Sequence, residues 1–130
     1  MNKTEELPIF RKTYALTVEF HRAVRNMPKD YRYTLGAEIV GLSWKCLDCV
    51  HSAVYAAKIE KAPALRELSR QFNRLCLRVR MLQELKIIST GQFADWQEKF
   101  LYEIGRQIGS WAKSLDAEAA GNEDEPTITF

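Results

Sequence analysis

The sequence predicts an all-α protein, an antiparallel up-down four-helix bundle, and three observations lead there. Apolar residues recur at three- and four-residue intervals along four separate segments. Prolines and a Ser-Thr-Gly cluster punctuate those segments where helices would start or stop. No stretch alternates apolar and polar residues strongly enough to argue for a strand. Four amphipathic helices joined by short loops bury their seams as neighbours running in alternate directions. At 130 residues the chain suits one domain, large enough to form a core without disulfide or metal staples.

The first helix is expected over about 8–27. Pro8 suits a first turn, where its missing N–H costs nothing, and Phe10, Thr13, Leu16 or Thr17, Phe20, Val24 and Met27 form its seam. Pro28 ends it and serves as an early position of the second helix, 28–58, with Leu35, Ile39, Leu42, Cys46, Cys49 or Val50, and Ala53 facing inward. Gly36 and Gly41 would each weaken that helix by roughly 1 kcal/mol relative to Ala, so close approach of a neighbouring helix is their expected purpose. Pro63 opens the third helix, 63–86, whose seam is Leu65, Leu68, Phe72, Leu75, Val79 and Leu82. Ser89-Thr90-Gly91 supplies a break and a cap. The fourth helix, 91–115, presents Phe93, Trp96, Phe100, Ile104, Ile108, Trp111 and Leu115. Gly105 and Gly109 sit one turn apart on it beside Trp111, a small-residue face suited to a close helix contact or to a subunit interface.

The net charge of +2 hides an asymmetry. Residues 1–115 hold all 19 Lys and Arg against 12 Asp and Glu, whereas residues 116–130 carry five acids and no base. That segment is poor in apolar residues, and its composition predicts a disordered acidic tail. It is either a solubilising end or a competitor that screens the basic surface from wrong partners. No apolar run approaches the roughly 18 residues of a membrane span, and Glu5 and Glu6 do not fit a signal peptide. The expectation is a cytoplasmic protein with three free thiols, Cys46, Cys49 and Cys76. Cys46 and Cys49 lack a second ligand pair at zinc spacing and are expected to act as small apolar residues.

The third helix carries the sharpest functional signal. Arg66, Arg70, Arg74 and Arg78 stand four apart, a strip of roughly 18 Å of fixed positive charge opposite the apolar seam. Between residues 61 and 86 seven basic residues meet only Glu67 and Glu84, unlike a solvated face laced with salt bridges. In an up-down bundle the strip's upper end, with Arg80, would join Arg22, Arg25, Lys29 and Arg32 at one pole. Phosphates, or acids on a protein partner, are the expected ligands. Tyr31, Tyr33, Tyr55 and Tyr102 are expected to cover core edges, and Trp44, Trp96 and Trp111 to anchor helices. No nucleophile-base pair, Glu-x-x-His pair or glycine-rich phosphate loop is present, so neither catalysis nor a cofactor is expected.

Two segments carry a family resemblance. Residues 27–36, Met-Pro-Lys-Asp-Tyr-Arg-Tyr-Thr-Leu-Gly, and residues 103–114, Glu-Ile-Gly-Arg-Gln-Ile-Gly-Ser-Trp-Ala-Lys-Ser, resemble stretches of the accessory variability determinant (Avd) proteins of diversity-generating retroelements. More distantly the chain is similar to four-helix bundle proteins encoded within intervening sequences of bacterial large-subunit rRNA genes. The resemblance spans 7–115, with Ser110 where a second Gly is usual. It implies a non-enzymatic bundle that assembles into a homopentameric barrel with a basic surface. It also implies partnership with a reverse transcriptase and binding of RNA or DNA in support of mutagenic retrohoming. The alternatives are a structural rRNA-associated protein and a protein-protein scaffold whose arginines meet an acidic partner.

Overall fold

The computed structural model describes residue 5 and residues 7–121. The described residues form helices α1 (Pro8–Val24), α2 (Lys29–Arg32), α3 (Leu35–Tyr55), α4 (Lys58–Glu84), α5 (Thr90–Trp96) and α6 (Tyr102–Gly121), with a π-helical turn at Gln97–Leu101 between the last two. No strand occurs among them. Helices α1, α3, α4 and the composite α5–α6 pack as a four-helix bundle, α3 lying between α1 and α4 and α6 closing against both. All six seam residues expected on the third helix are buried. They meet Leu16, Phe20, Ile39, Val50, Trp96, Leu101 and Ile104 in one core, where Phe20 and Trp96 pack edge to face at 5.0 Å.

Helix boundaries differ from the sequence expectation where side chains satisfy backbone groups that periodicity ignores. The second helix breaks at Tyr33–Thr34. There Thr34 Oγ1 donates to the Asp30 carbonyl at 3.1 Å, a local bond that competes with the helical ladder. The break seats Gly36 on α1: a Cβ at that position would lie 3.1 Å from Met27 Sδ and 3.3 Å from Val24 Cγ1. Gly41, by contrast, has nothing within 4 Å of its would-be Cβ, so close approach explains the first glycine and not the second.

Helix α4 starts at Lys58, before Pro63. Lys61 Nζ donates to the carbonyls of Ala53 and Val54 at 3.0 and 2.9 Å, tying the added first turn to the unfinished end of α3. The Ile59 carbonyl, which an N–H at position 63 would have satisfied, lies on an exposed turn open to solvent. At its other end α4 closes with Lys86 in the left-handed region, φ 60°. Ile87 N–H bonds Leu82 O and Lys86 N–H bonds Gln83 O, the paired bonds of a Schellman cap with lysine where glycine is usual.

The fourth helix starts as expected, with Ser89 Oγ accepting from Gln92 N–H at 3.0 Å. Its seam then skips. Trp96 and Leu101 are both buried, five residues apart, and Phe100 is displaced to a half-buried position. The π turn makes that spacing possible, the Tyr102 N–H bonding Gln97 O five residues back. Helix α6 continues to Gly121, into the segment where acidic composition predicts a disordered tail. Ala117 and Glu118 propagate a helix at little cost once one is established. The remainder of that tail, 122–130, lies outside the described residues.

Candidate nucleic-acid interface

The arginine ladder is present on α4, but it does not stay on one face. Four residues overshoot a turn by about 40°, so three steps wind the strip about 120° around the helix. Arg66, at its start, lines a groove shared with α6. Arg78, at its end, turns toward α3 and pairs with Glu38 Oε1 at 3.4 Å, its Nη1 also reaching the Arg74 carbonyl. Arg70 pairs with Glu67 one turn back and stays 69% exposed. Among the described residues neither Arg66 nor Arg74 forms an ion pair, and both are exposed. The Glu67 carboxyl is held below its usual range, first by the hydrogen bond from Gln71 Nε2 at 2.6 Å, then by Arg70 and Arg74. The strip is therefore a winding one in which two arginines are partly balanced and two are not.

The helix ends expected to form the pole lie close together. Gly36 holds the start of α3 against the end of α1, and the Glu38–Arg78 pair brings the upper half of α4 beside them. Arg22, Arg25, Lys29, Arg80 and Lys86 are exposed there, and none forms an ion pair among the described residues. Arg32 behaves differently. Its Nη2 donates to the carbonyls of Arg25 and Met27, both at 3.3 Å, and its Nε is buried with no partner among the described residues. This guanidinium closes the open end of α1 instead of facing a ligand. Tyr33 and Tyr102 stand 72% and 75% exposed, where core-edge covers were expected.

The small-residue face of α6 divides in two. A Cβ on Gly105 would meet Phe72 Cε2 at 3.3 Å, so Gly105 serves the contact between α4 and α6. A Cβ on Gly109 would meet nothing within 4 Å. Gly109 instead floors the groove of about 450 Å³ that Arg66 borders. Of the tryptophans, Trp96 is fully buried, its indole N–H without a hydrogen-bond partner among the described residues, and Trp111 packs half-buried against the core. Trp44 is 47% exposed and so lies outside the core, but its indole donates to His21 Nε2 at 3.0 Å and links α3 to α1.

Cys46 is buried and Cys49 and Cys76 half-buried. Burial pushes the Cys46 thiol up to about 12 and the Cys76 thiol up to about 11, so both stay protonated and inert at neutral pH. Among the described residues no group of three His, Cys, Asp or Glu is placed to hold a metal, and no helix is long and apolar enough to cross a membrane.

A protein-family profile described as bAvd-like matches residues 7–115. The chain belongs to the bAvd-like family. The match runs from α1 through most of α6 and agrees with the resemblance to accessory variability determinant proteins carried by 27–36 and 103–114. Neither a curated protein nor a solved structure matches the chain. In this bAvd-like bundle the first motif forms the Gly36 turn at the basic pole. In the second, Arg106 grips Glu103 through two nitrogens, and with Gln107 it lowers the Glu103 carboxyl to about 2. What sequence reasoning missed is the pairing partner. Glu38 sits forty residues from Arg78, and only the winding of a four-residue ladder hints that one arginine would turn toward α3.

Proposed function

We propose that this bAvd-like protein is a non-enzymatic, oligomeric accessory factor of a diversity-generating retroelement. It binds RNA or DNA through a basic surface and docks to the reverse transcriptase, supporting mutagenic retrohoming. The observation that carries the reading is the exposed cationic set, Arg66, Arg74, Arg80, Arg22, Arg25 and Lys29, which forms no ion pair among the described residues, on a chain of this family. Arg70 contributes from a solvent-facing pair. Guanidinium and ammonium groups without base-reading Asn or Gln neighbours suit phosphate contact over sequence readout. Assembly, as a homopentamer in the form the family resemblance implies, would repeat the surface and turn modest single contacts into multivalent binding.

Co-expression with a reverse transcriptase of a diversity-generating retroelement, followed by nuclease treatment and mass measurement, tests this reading. The expected result is an oligomer that retains the polymerase and binds nucleic acid in a salt-sensitive manner. A monomer that retains no polymerase and binds no nucleic acid would overturn it. An oligomer that holds rRNA fragments but no polymerase would favour the structural rRNA-binding alternative.

A further inference from the structure

Between α1 and α3 the rings of Phe10, Tyr14, Trp44 and His51 share a groove of about 250 Å³ with the side chains of Glu5 and Asp48. The two helices run in opposite directions, so Tyr14 on α1 shares the groove with Asp48 and His51 on α3, and His21 meets Trp44. Each ring is braced by another. Tyr14 lies beside Phe10 with centroids 6.2 Å apart, His51 beside Tyr55 at 4.8 Å, and Trp44 meets His21 edge to face at 6.2 Å. The bond from the Trp44 indole to His21 Nε2 orients that ring while leaving it exposed, and Tyr14 is 53% exposed. Large rings already held in place lose little freedom when a partner covers them. Asp48 is exposed and forms no ion pair among the described residues, although Lys45 stands three residues before it on α3. Arg11 is turned instead to the Glu5 carbonyl, at 3.4 Å.

We propose that this groove takes an arginine or lysine side chain from a basic segment of a protein partner, held by the Tyr14 and Trp44 rings and the Asp48 carboxylate. Aromatic faces carry negative potential and attract guanidinium or ammonium groups within about 6 Å, and a carboxylate at the same mouth adds to that attraction. A nucleic-acid strand stacking a base here would bring its phosphates toward Asp48 and Glu5, where like charges repel. Size sets the scale of the ligand. Drug-sized molecules occupy about 300–1,000 Å³, whereas this groove suits one side chain. Helix α3 lies between α1 and α4, so the groove is set apart from the arginine strip and a partner can dock while phosphates occupy the strip. The inference deepens the polymerase-docking half of the function proposed above and takes the partner's identity from that reading. Recognition of a cationic side chain stands on the groove alone.

Titration of the full chain with acetyl-Gly-Arg-Gly-amide, followed through the indole N–H resonance of Trp44 and the ring resonances of Tyr14, tests the recognition. Saturable shifts in the millimolar range are expected, as for one side chain in one groove. Acetyl-Gly-Gln-Gly-amide should give none, and Asp48→Asn should weaken binding of the arginine peptide about threefold, as for the loss of one exposed ion pair. Absence of saturation, or equal shifts from the glutamine peptide or from AMP, would overturn the proposal. So would resonances that move on dilution of the protein alone, which would place a second copy in the groove. Co-expression with the polymerase tests the partner. Asp48→Asn with Tyr14→Ser should lower polymerase retention about fivefold, the combined loss of one ion pair and one cation–π contact, and leave RNA binding at the parent's level. Equal retention by this variant and the parent would overturn the docking role. A parent that retains no polymerase would instead refute the function proposed above, and the peptide titration would still decide the groove.

Discussion

Replacing Gly105 and Gly109 separately should give opposite results, although the two occupy equivalent positions one turn apart. At Gly109 a Cβ would meet nothing within 4 Å, so Gly109→Ala adds no clash. It removes the excess flexibility of glycine in a helix interior, which is worth about 0.5–1 kcal/mol of stabilisation. At Gly105 a Cβ lies 3.3 Å from Phe72 Cε2, closer than ordinary contact, and Phe72 is only 7% exposed. Gly105→Ala forces the ring to yield by a few tenths of an ångström and cancels most of the same gain. Gly105→Leu overpacks the seam by about 1–3 kcal/mol, while Gly109→Leu fills open space and leaves the fold intact. Urea unfolding of the variants at low protein concentration reads these differences, with an unchanged m-value as the check on two-state behaviour. A Gly109→Ala protein less stable than the parent, or a Gly105→Leu protein as stable, would refute the division of that face.

Three further outcomes follow from the same geometry. Lys86 holds a left-handed conformation that costs a lysine about 1 kcal/mol and glycine nothing, so Lys86→Gly should leave stability unchanged or raise it slightly, and Lys86→Val should lower it, both read by thermal melts. The thiols of Cys46 and Cys76 should resist a thiol reagent at pH 8 in the native protein and react on unfolding. Because their folded values are raised, the stability they contribute is complete below about pH 9 and declines as pH rises toward 11–12, visible as alkaline loss of melting temperature that Cys46→Ala reduces. The Glu103 carboxyl is depressed to about 2, first by its hydrogen bond from Arg106, so its contribution is present above about pH 4.5 and lost as pH falls toward 2. Glu103→Gln should flatten acid unfolding across that window.

The bundle was legible in the sequence because burial follows helical periodicity, and the third-helix seam from Leu65 to Leu82 matched at every position. Helix ends were less legible because side chains far along the chain decide them. Lys61 reaching back to the end of α3 lengthens α4, and Arg32 closing α1 withdraws a cation from the surface. The π turn escaped because Phe100 and Leu101 are both apolar, and only packing selects which one enters the core. The arginine ladder was visible as spacing, but spacing alone hides the winding that sends Arg78 to Glu38. Gly105 and Gly109 look alike in sequence, since a glycine carries no mark of whether a neighbour approaches it.

The salt dependence of nucleic-acid binding tests the phosphate role of the α4 strip most directly. Arg66→Gln, Arg70→Gln and Arg74→Gln remove three exposed charges without touching the core, so the triple variant should melt within a few degrees of the parent. Each phosphate contact contributes about 0.7–0.9 to the slope of log K against log salt, so the variant should lose about 2–3 from that slope per bound chain. Affinity should fall alike for unrelated RNA sequences. An affinity that barely changes with salt, or a triple variant that binds as the parent does, would contradict it.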